Sequence, residues 1–233
     1  MSNTALPLRQ RIDGGSPTRA ELASLAAMGV PVHLADCDLA EADLSGLDLK
    51  DWQFDRCNLR QARLTNTILE TVRLTACRAG FANLAAARLT DVAVVSCDFN
   101  NADFSDANLS GVVFQGCKLT GANFARARTM TVSFADTLLT DARLTGFSFR
   151  KAQLDQVDLS LADLAGADFR DCVFAGCSLR EAHLTGARFE GADLRGADLG
   201  GLRLTDAGKF KGATVSRRQA AELLAQLGLQ VSG

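Results

Sequence analysis

The side chains able to do chemistry in this 233-residue chain are seven cysteines, two histidines and 27 Asp/Glu carboxylates. Thiolates with imidazoles make zinc sites or nucleophile–base pairs, and paired carboxylates make general acids and bases. The spacing argues against each. Cys37, Cys57, Cys77, Cys97 and Cys117 stand twenty residues apart, unlike zinc-ligand pairs, and Cys172 with Cys177 lacks His partners. His33 and His183 are the only histidines; His183 is expected on an outward position with no Ser or Cys nucleophile arranged around it. A Gly-Gly-Leu-Arg-Leu-Thr stretch at 200–205 keeps the local register and lacks the pattern of a phosphate-cradling loop. These residues predict no catalytic group, no metal ligand and no cofactor site, hence a non-enzymatic protein.

The elements that position them follow from a repeat. Stepping by five from Leu34 to Leu204 visits 35 positions, of which 32 are Leu or Phe; Ala79, Val94 and Thr129 are the exceptions. Two residues earlier in each unit stand sixteen Ala, seven Cys and six Val, so every cysteine occupies the small position. A period of five matches neither the 3.6 of a helix nor the 2 of a strand. It fits an extended segment that carries the small residue and the Leu/Phe inward together, then turns a corner. Gly46, Gly111, Gly116, Gly121, Gly146 and Gly166 occupy the last place of the unit, where a corner needs a permissive backbone. The twenty-residue spacing of the five cysteines, and of Ala42, Ala62, Ala82 and Ala102, requires four sides per coil. The predicted fold is therefore an all-β solenoid, a four-sided β-helix over residues 32–206 about 42 Å long. Cys37, Cys57, Cys77, Cys97 and Cys117 form a structural core column, because Cys packs as a small hydrophobe.

This pattern resembles the pentapeptide-repeat family, with its A-[D/N]-L-x-x unit, and the resemblance implies a right-handed quadrilateral β-helix. Prolines are confined to Pro7, Pro17 and Pro31, which leaves every later backbone N–H free for a ladder. Residues 1–15 are expected to be a flexible tail and 16–31 a capping helix, started by Ser16-Pro17-Thr18-Arg19-Ala20-Glu21 with a Thr-x-x-Glu capping box. Residues 207–233 hold a second helix, opened by Ser216 and stopped by Gly228, that either caps the solenoid or dimerises. The first thirty residues lack a long apolar run, so neither a signal peptide nor a membrane span is expected; with free thiols, this points to the cytoplasm.

Two segments are similar to the quinolone-resistance (Qnr) group within that family. Cys77-Arg78-Ala79-Gly80-Phe81-Ala82-Asn83-Leu84 resembles the weak unit that interrupts its Leu/Phe series, and Gln219–Val231 resembles its terminal Q-x-x-x-L-L-x-x-L-G-[I/L]-x-V. The resemblance implies a DNA mimic that binds DNA gyrase or topoisomerase IV, and a homodimer through Leu223, Leu224 and Leu227. Direct nucleic-acid binding and membrane association are not expected.

Charge is patterned unevenly. Residues 32–206 hold 24 Asp/Glu and 18 Lys/Arg, net −6, whereas duplex DNA of about 42 Å would carry roughly 25 negative charges. Residues 36–51 are net −5, residues 56–90 net +5, and 91–117 hold four aspartates and no base. Asp98, Asp103 and Asp106 are the candidate partner contacts. The basic band at 56–90 equally suits an interaction scaffold, such as an accessory or effector of a bacterial secretion or toxin system, with an acidic partner unrelated to topoisomerases.

Overall fold

The computed structural model describes residues 10–202, 207–226 and 228–230. The chain forms a right-handed, four-sided parallel β-solenoid of about nine turns with two short helices. One side is a nine-stranded parallel sheet: β1 Gln10–Asp13, β2 Val32–Ala35, β3 Gln53–Asp55, β4 Arg73–Thr75, β5 Ala93–Val95, β6 Val113–Gln115, β7 Ser133–Ala135, β8 Gln153–Asp155 and β9 Val173–Ala175. Its register steps by twenty from β2 onward, with Leu34 beside Phe54, Phe54 beside Leu74, and Leu74 beside Val94. This is the first side. The second, third and fourth carry Leu39, Leu44 and Leu49 and their successors, joined mostly by single bridges such as Asp38 to Asn58, Asp43 to Arg63 and Asp48 to Ile68. A second small sheet, β10 Cys177–Ser178 with β11 Ala197–Asp198, continues the second side.

Corners explain the last position of the unit. Ala42 N–H donates to Leu39 O at 3.1 Å, Leu47 to Leu44 at 3.2 Å and Trp52 to Leu49 at 3.2 Å. The residue before each donor has positive φ, as at Glu41 (59°), Gly46 (70°) and Asp51 (63°). A turn closed from i to i+3 with positive φ at i+2 favours Gly or Asn, and most units without glycine take the left-handed conformation all the same. The ladder on either side over-determines it.

The core is one continuous column of Leu, Phe, Ala, Val and Cys. Because coils repeat at the strand spacing of about 4.8 Å, phenylalanines twenty apart stack in parallel: Phe104 on Phe124 at 5.0 Å, Phe114 on Phe134 at 5.2 Å, Phe149 on Phe169 at 4.8 Å and Phe169 on Phe189 at 4.9 Å.

The ends differ from expectation in two places. The tail expected over residues 1–15 includes β1, which extends the sheet because Gln10–Asp13 pairs with Val32–Ala35 in parallel; residues 1–9 lie outside the described residues. At the other end the coil runs on past 206. Phe189 N–H donates to Lys209 O and Leu194 N–H to Thr214 O, twenty residues ahead, where regular units reach nineteen. One extra residue therefore enters between Gly200 and Lys209. It moves the inward side chain to Phe210, which stacks on Phe189 at 5.1 Å.

Both helices cap as the sequence predicts. Thr18 and Ser216 each form a capping box for α1 Arg19–Ala27 and α2 Arg217–Ala225. Helix α1 buries Leu22 completely and holds the carbonyls of Asp43 and Ser45 through Arg19, at 2.5 and 3.0 Å. Helix α2 covers the last coil with Gln219, 2% exposed, whose Nε2 donates to Leu194 O and Ala197 O, both at 2.7 Å.

Candidate partner-binding surface

The outward aspartates have a structural duty before any partner is considered. In the ladder, the N–H of the residue after each inward Leu or Phe points out of the coil. The Asp before that Leu or Phe receives it: Asp38 Oδ1 from Ala40 at 3.1 Å, Asp98 from Asn100 at 3.0 Å, Asp103 from Ser105 at 2.9 Å and Asp158 from Ser160 at 2.9 Å. Asn83, Asn108 and Asn123 do the same. This is the side-chain-to-backbone bond two residues on that Asp and Asn favour in turns. It explains why the unit takes Asp or Asn there, and it means that charge at this place is optional.

Of the three proposed contacts, the structure puts Asp98 on the second side, Asp103 on the third, and Asp106 on the corner after it. Asp106 is bound by Arg126 through two hydrogen bonds of 2.8 and 2.6 Å, which hold its carboxyl below the usual carboxylate range. Asp103 also accepts Asn123 Nδ2 at 2.9 Å. Many other acids are neutralised by bases on the same or the next coil, including Asp36 by Arg56 (2.8 Å), Asp43 by Arg19 and Arg63 (3.1 Å each), Glu70 by Arg88 (3.2 Å) and Asp198 by Arg180 (2.9 Å).

Acids without a cationic partner occur on all four sides, and the second side with the corner that follows it holds the largest group of them. Among the described residues Asp38, Glu41, Asp98, Asp141, Asp158 and Glu181 have no cationic partner, against Arg60, Arg78 and Lys118 on the same surface. That corner also exposes Phe81 (64%) and Leu161 (54%). Both are large apolar residues with positive φ, and a one-dimensional count of Leu/Phe positions passes over them.

All seven cysteines are buried and free. Five of the thiols donate to backbone carbonyls of the coil before, as Cys77 Sγ to Phe54 O at 3.4 Å and Cys117 Sγ to Val94 O at 3.3 Å, while Cys97 and Cys172 donate within their own coil to Val95 O and Val173 O. Thr137, next in the column, makes the same bond to Phe114 O. Burial pushes Cys37 up to about 11 and Cys172 up to about 12, and raises Cys117 and Cys177. Such thiols are poor nucleophiles at neutral pH. His183 lies outward, between Asp163 (3.1 Å) and Thr185 (2.9 Å). Among the described residues no group of three or more His, Cys, Asp or Glu is placed to hold a metal ion, and no helix is long and apolar enough to cross a membrane.

At the C-terminal end, Leu223 is buried in the core of its own chain, 8% exposed, and Leu224 is half-buried. Leu227 lies outside the described residues. Among the described residues of this end, Leu229 is the large apolar side chain presented outward, 54% exposed.

No curated protein sequence matches the chain. Among solved structures, full-length QnrB1, a plasmid-mediated fluoroquinolone resistance protein, superposes with a TM-score of 0.63 at 17% identity, covering 95% of this chain and all of its own. A trypsin-treated point variant of QnrB1 gives 0.56 at 21% identity, covering 96% of this chain and 98% of its own. HetL, a pentapeptide repeat protein involved in heterocyst differentiation regulation in the cyanobacterium Nostoc sp. strain PCC 7120, gives 0.46 at 21%, covering 82% and 87%. The sequence profile described as "Pentapeptide repeat region" matches residues 87–162, and "Pentapeptide repeats (8 copies)" matches 53–91 and 172–207. With the five-residue unit, the four sides and the ladder all in place, the chain belongs to the pentapeptide-repeat family.

Proposed function

We propose that the chain is a non-catalytic, cytoplasmic binding protein that engages a type II topoisomerase, DNA gyrase or topoisomerase IV, through the acidic second side of its rod. The likeness to QnrB1 supplies the fold. The reading rests on one observation, the row of six carboxylates without cationic partners on the second side and its corner. In the proposed mechanism the rod competes with DNA for a basic saddle, with Asp98 in the contact on the second side and Asp103 and Asp106 extending it round onto the third side and its corner. A second copy would meet this chain at its C-terminal end through Leu224 and the exposed Leu229, with Leu223 serving its own core.

The test is a gyrase supercoiling assay with the purified protein titrated in, with and without a quinolone. Inhibition, or protection from drug-induced cleavage, is expected at micromolar protein and is lost when Asp98, Asp103 and Asp106 are all exchanged for Lys. No effect up to tens of micromolar removes the reading, and an unchanged effect of the triple variant removes the site assignment.

One observation favours an interaction scaffold instead. Arg60 and Arg78 on the second side have no acidic partner among the described residues, and Phe81 is exposed on the corner that follows them. An acidic partner would suit this band, and capture of such a protein by the wild type but not by an Arg60→Glu/Arg78→Glu variant would favour it.

A further inference from the structure

Among the described residues, and apart from the single amide of Gly176 near the last coil, the ladder is broken in one place. Between the coil at 126–134 and the next at 145–154, five hydrogen bonds of the regular pattern are missing among the described residues: those of the Arg126, Thr129, Thr131, Ser148 and Gln153 amides. One coil earlier their equivalents are all made, from Asp106, Leu109, Gly111, Arg128 and Ser133, at 2.8 to 3.0 Å. One coil later they are made again, from Gly146, Phe149, Lys151, Asp168 and Val173, at 2.8 to 3.0 Å. The sheet shows the same fault. Strand β7 pairs with β8 only at Ala135 and Asp155, whereas β6 with β7 and β8 with β9 pair at three positions each.

The sequence supplies the cause. Phe147 stands at the small position, in a column otherwise held by Leu47, Thr67, Ala87, Ala107, Ala127, Ala167 and Ala187. It is buried, with its ring 4.6 Å from Phe149, 5.9 Å from Phe124 and 6.0 Å from Phe134. Directly before it, Thr129 replaces the inward Leu/Phe and Met130 is 71% exposed. An oversized ring in one coil meets an undersized residue in the other, so the coil at 127–132 is displaced rather than filled in. Charge acts in the same direction. Arg128, Arg150 and Lys151, on the two lips, have no acidic partner among the described residues.

The fault runs from the corner after the third side along the fourth and first sides. On the second and third, Leu119 N–H reaches Leu138 O at 2.7 Å, Gly121 reaches Thr140 at 2.9 Å and Phe124 reaches Arg143 at 2.9 Å. A stack bonded along one edge and open along the other is a hinge. From this geometry we infer that the solenoid is two stiff stacks that bend about the second and third sides, opening and closing at the corner that carries Thr131 and Lys151. In a linear array, where each coil contacts only its neighbours, one weak interface localises bending and opening. The hinge lets the rod fit a curved partner without melting a coil.

The buried native thiols permit site-directed spin labelling. Labels at Asp51→Cys and Asp171→Cys, both exposed on the opening corner, span the fault over six coils. Double electron–electron resonance is expected to give a broad distance distribution, which Thr129→Leu/Phe147→Ala, restoring the common residues, narrows and shortens. Amide exchange by NMR is the second readout. The five amides are expected to exchange at least tenfold faster than their equivalents one coil earlier, and to slow in the repaired variant. Should the double variant not fold, Phe147→Ala alone carries the same expectations. Equal distribution widths in wild type and variant, or equal exchange at the two coils, overturns the hinge.

Discussion

Exchanging Asp98, Asp103 and Asp158 together, once for Asn and once for Ala, separates the two duties of these side chains. Alanine removes the acceptors of the Asn100, Ser105 and Ser160 N–H groups, of Asn123 Nδ2 and of the Thr140 hydroxyl. These sites are part-exposed, so water replaces much of each bond, and about 0.6 kcal/mol apiece is a fair figure. Five such bonds come to about 3 kcal/mol. With a urea m-value of about 3 kcal/mol/M, the midpoint should fall by roughly 1 M. Asparagine keeps Oδ1 where each N–H needs it, as Asn83, Asn108 and Asn123 already show, so its midpoint should move by less than about 0.2 M. Both variants lose three negative charges. At about 0.7 kcal/mol for each exposed charge, topoisomerase affinity should fall roughly 30-fold for the Asn variant although its fold is intact, and its salt dependence should weaken. An Asn variant as unstable as the Ala variant would refute the assignment of the turn bond to Oδ1. An Asn variant that binds as well as the wild type would refute electrostatic competition.

The seven cysteines should give no reaction with Ellman's reagent in the native state and seven equivalents in denaturant; early reaction of more than one thiol would contradict their burial. Because Cys37, Cys117, Cys172 and Cys177 titrate above their unfolded value, the native state holds protons there that the unfolded chain releases. Stability is therefore flat below about pH 9 and falls as pH rises toward the folded values, Cys37 about 11 and Cys172 about 12, with a slope approaching 1.4 kcal/mol per unit for each thiol. Cys172→Ala should lessen the slope of melting temperature between pH 9 and 11. Phe169→Ala should cost about 4 kcal/mol, since the ring is fully buried between Phe149 and Phe189; a loss below 1 kcal/mol in urea would deny the stack. Gln219→Ala strips the donor from Leu194 O and Ala197 O and should destabilise by about 2 kcal/mol, with faster amide exchange confined to the last two coils.

The rod was legible because its signal is redundant: 32 of 35 inward positions agree, and columns twenty apart repeat the statement. The capping box at Thr18 and the helix start at Ser216 were legible for a similar reason, each being a local pattern with one geometry. The one-residue slip before Phe210 was not, because a count by fives stops at Leu204 and cannot see that Phe210 resumes the stack on Phe189. Strand β1 was missed as well. Gln10–Asp13 carries no repeat, and its order comes from the open edge of β2. The fault at 126–154 was visible only as two unrelated exceptions, Thr129 and Phe147; their meeting across a coil boundary is a fact of three dimensions.

Charge on such a rod belongs to columns more than to segments, and this changes how the sequence totals bear on DNA mimicry. The ladder sets residue i over residue i+20, so opposite signs at that spacing cancel on the surface: Asp36 with Arg56, Asp43 with Arg63, Asp106 with Arg126. The apparent acidic block at 36–51 and basic band at 56–90 thus consume part of each other, and neither presents its full formal charge. Charge persists where the column neighbour is neutral or the pair does not close. Glu41 lies over Gln61, Asp141 over Leu161 and Asp158 over Ser178 on the second side or its corner, and Asp91 over Gly111 and Asp171 over Gly191 on the corner after the fourth. Far fewer free carboxylates remain than duplex DNA of this length would show, so charge density alone cannot make the rod a copy of DNA. Whatever selectivity it has must come from where those few carboxylates stand on a surface with exposed Phe81 and Leu161, and from how far the rod bends to bring them into contact.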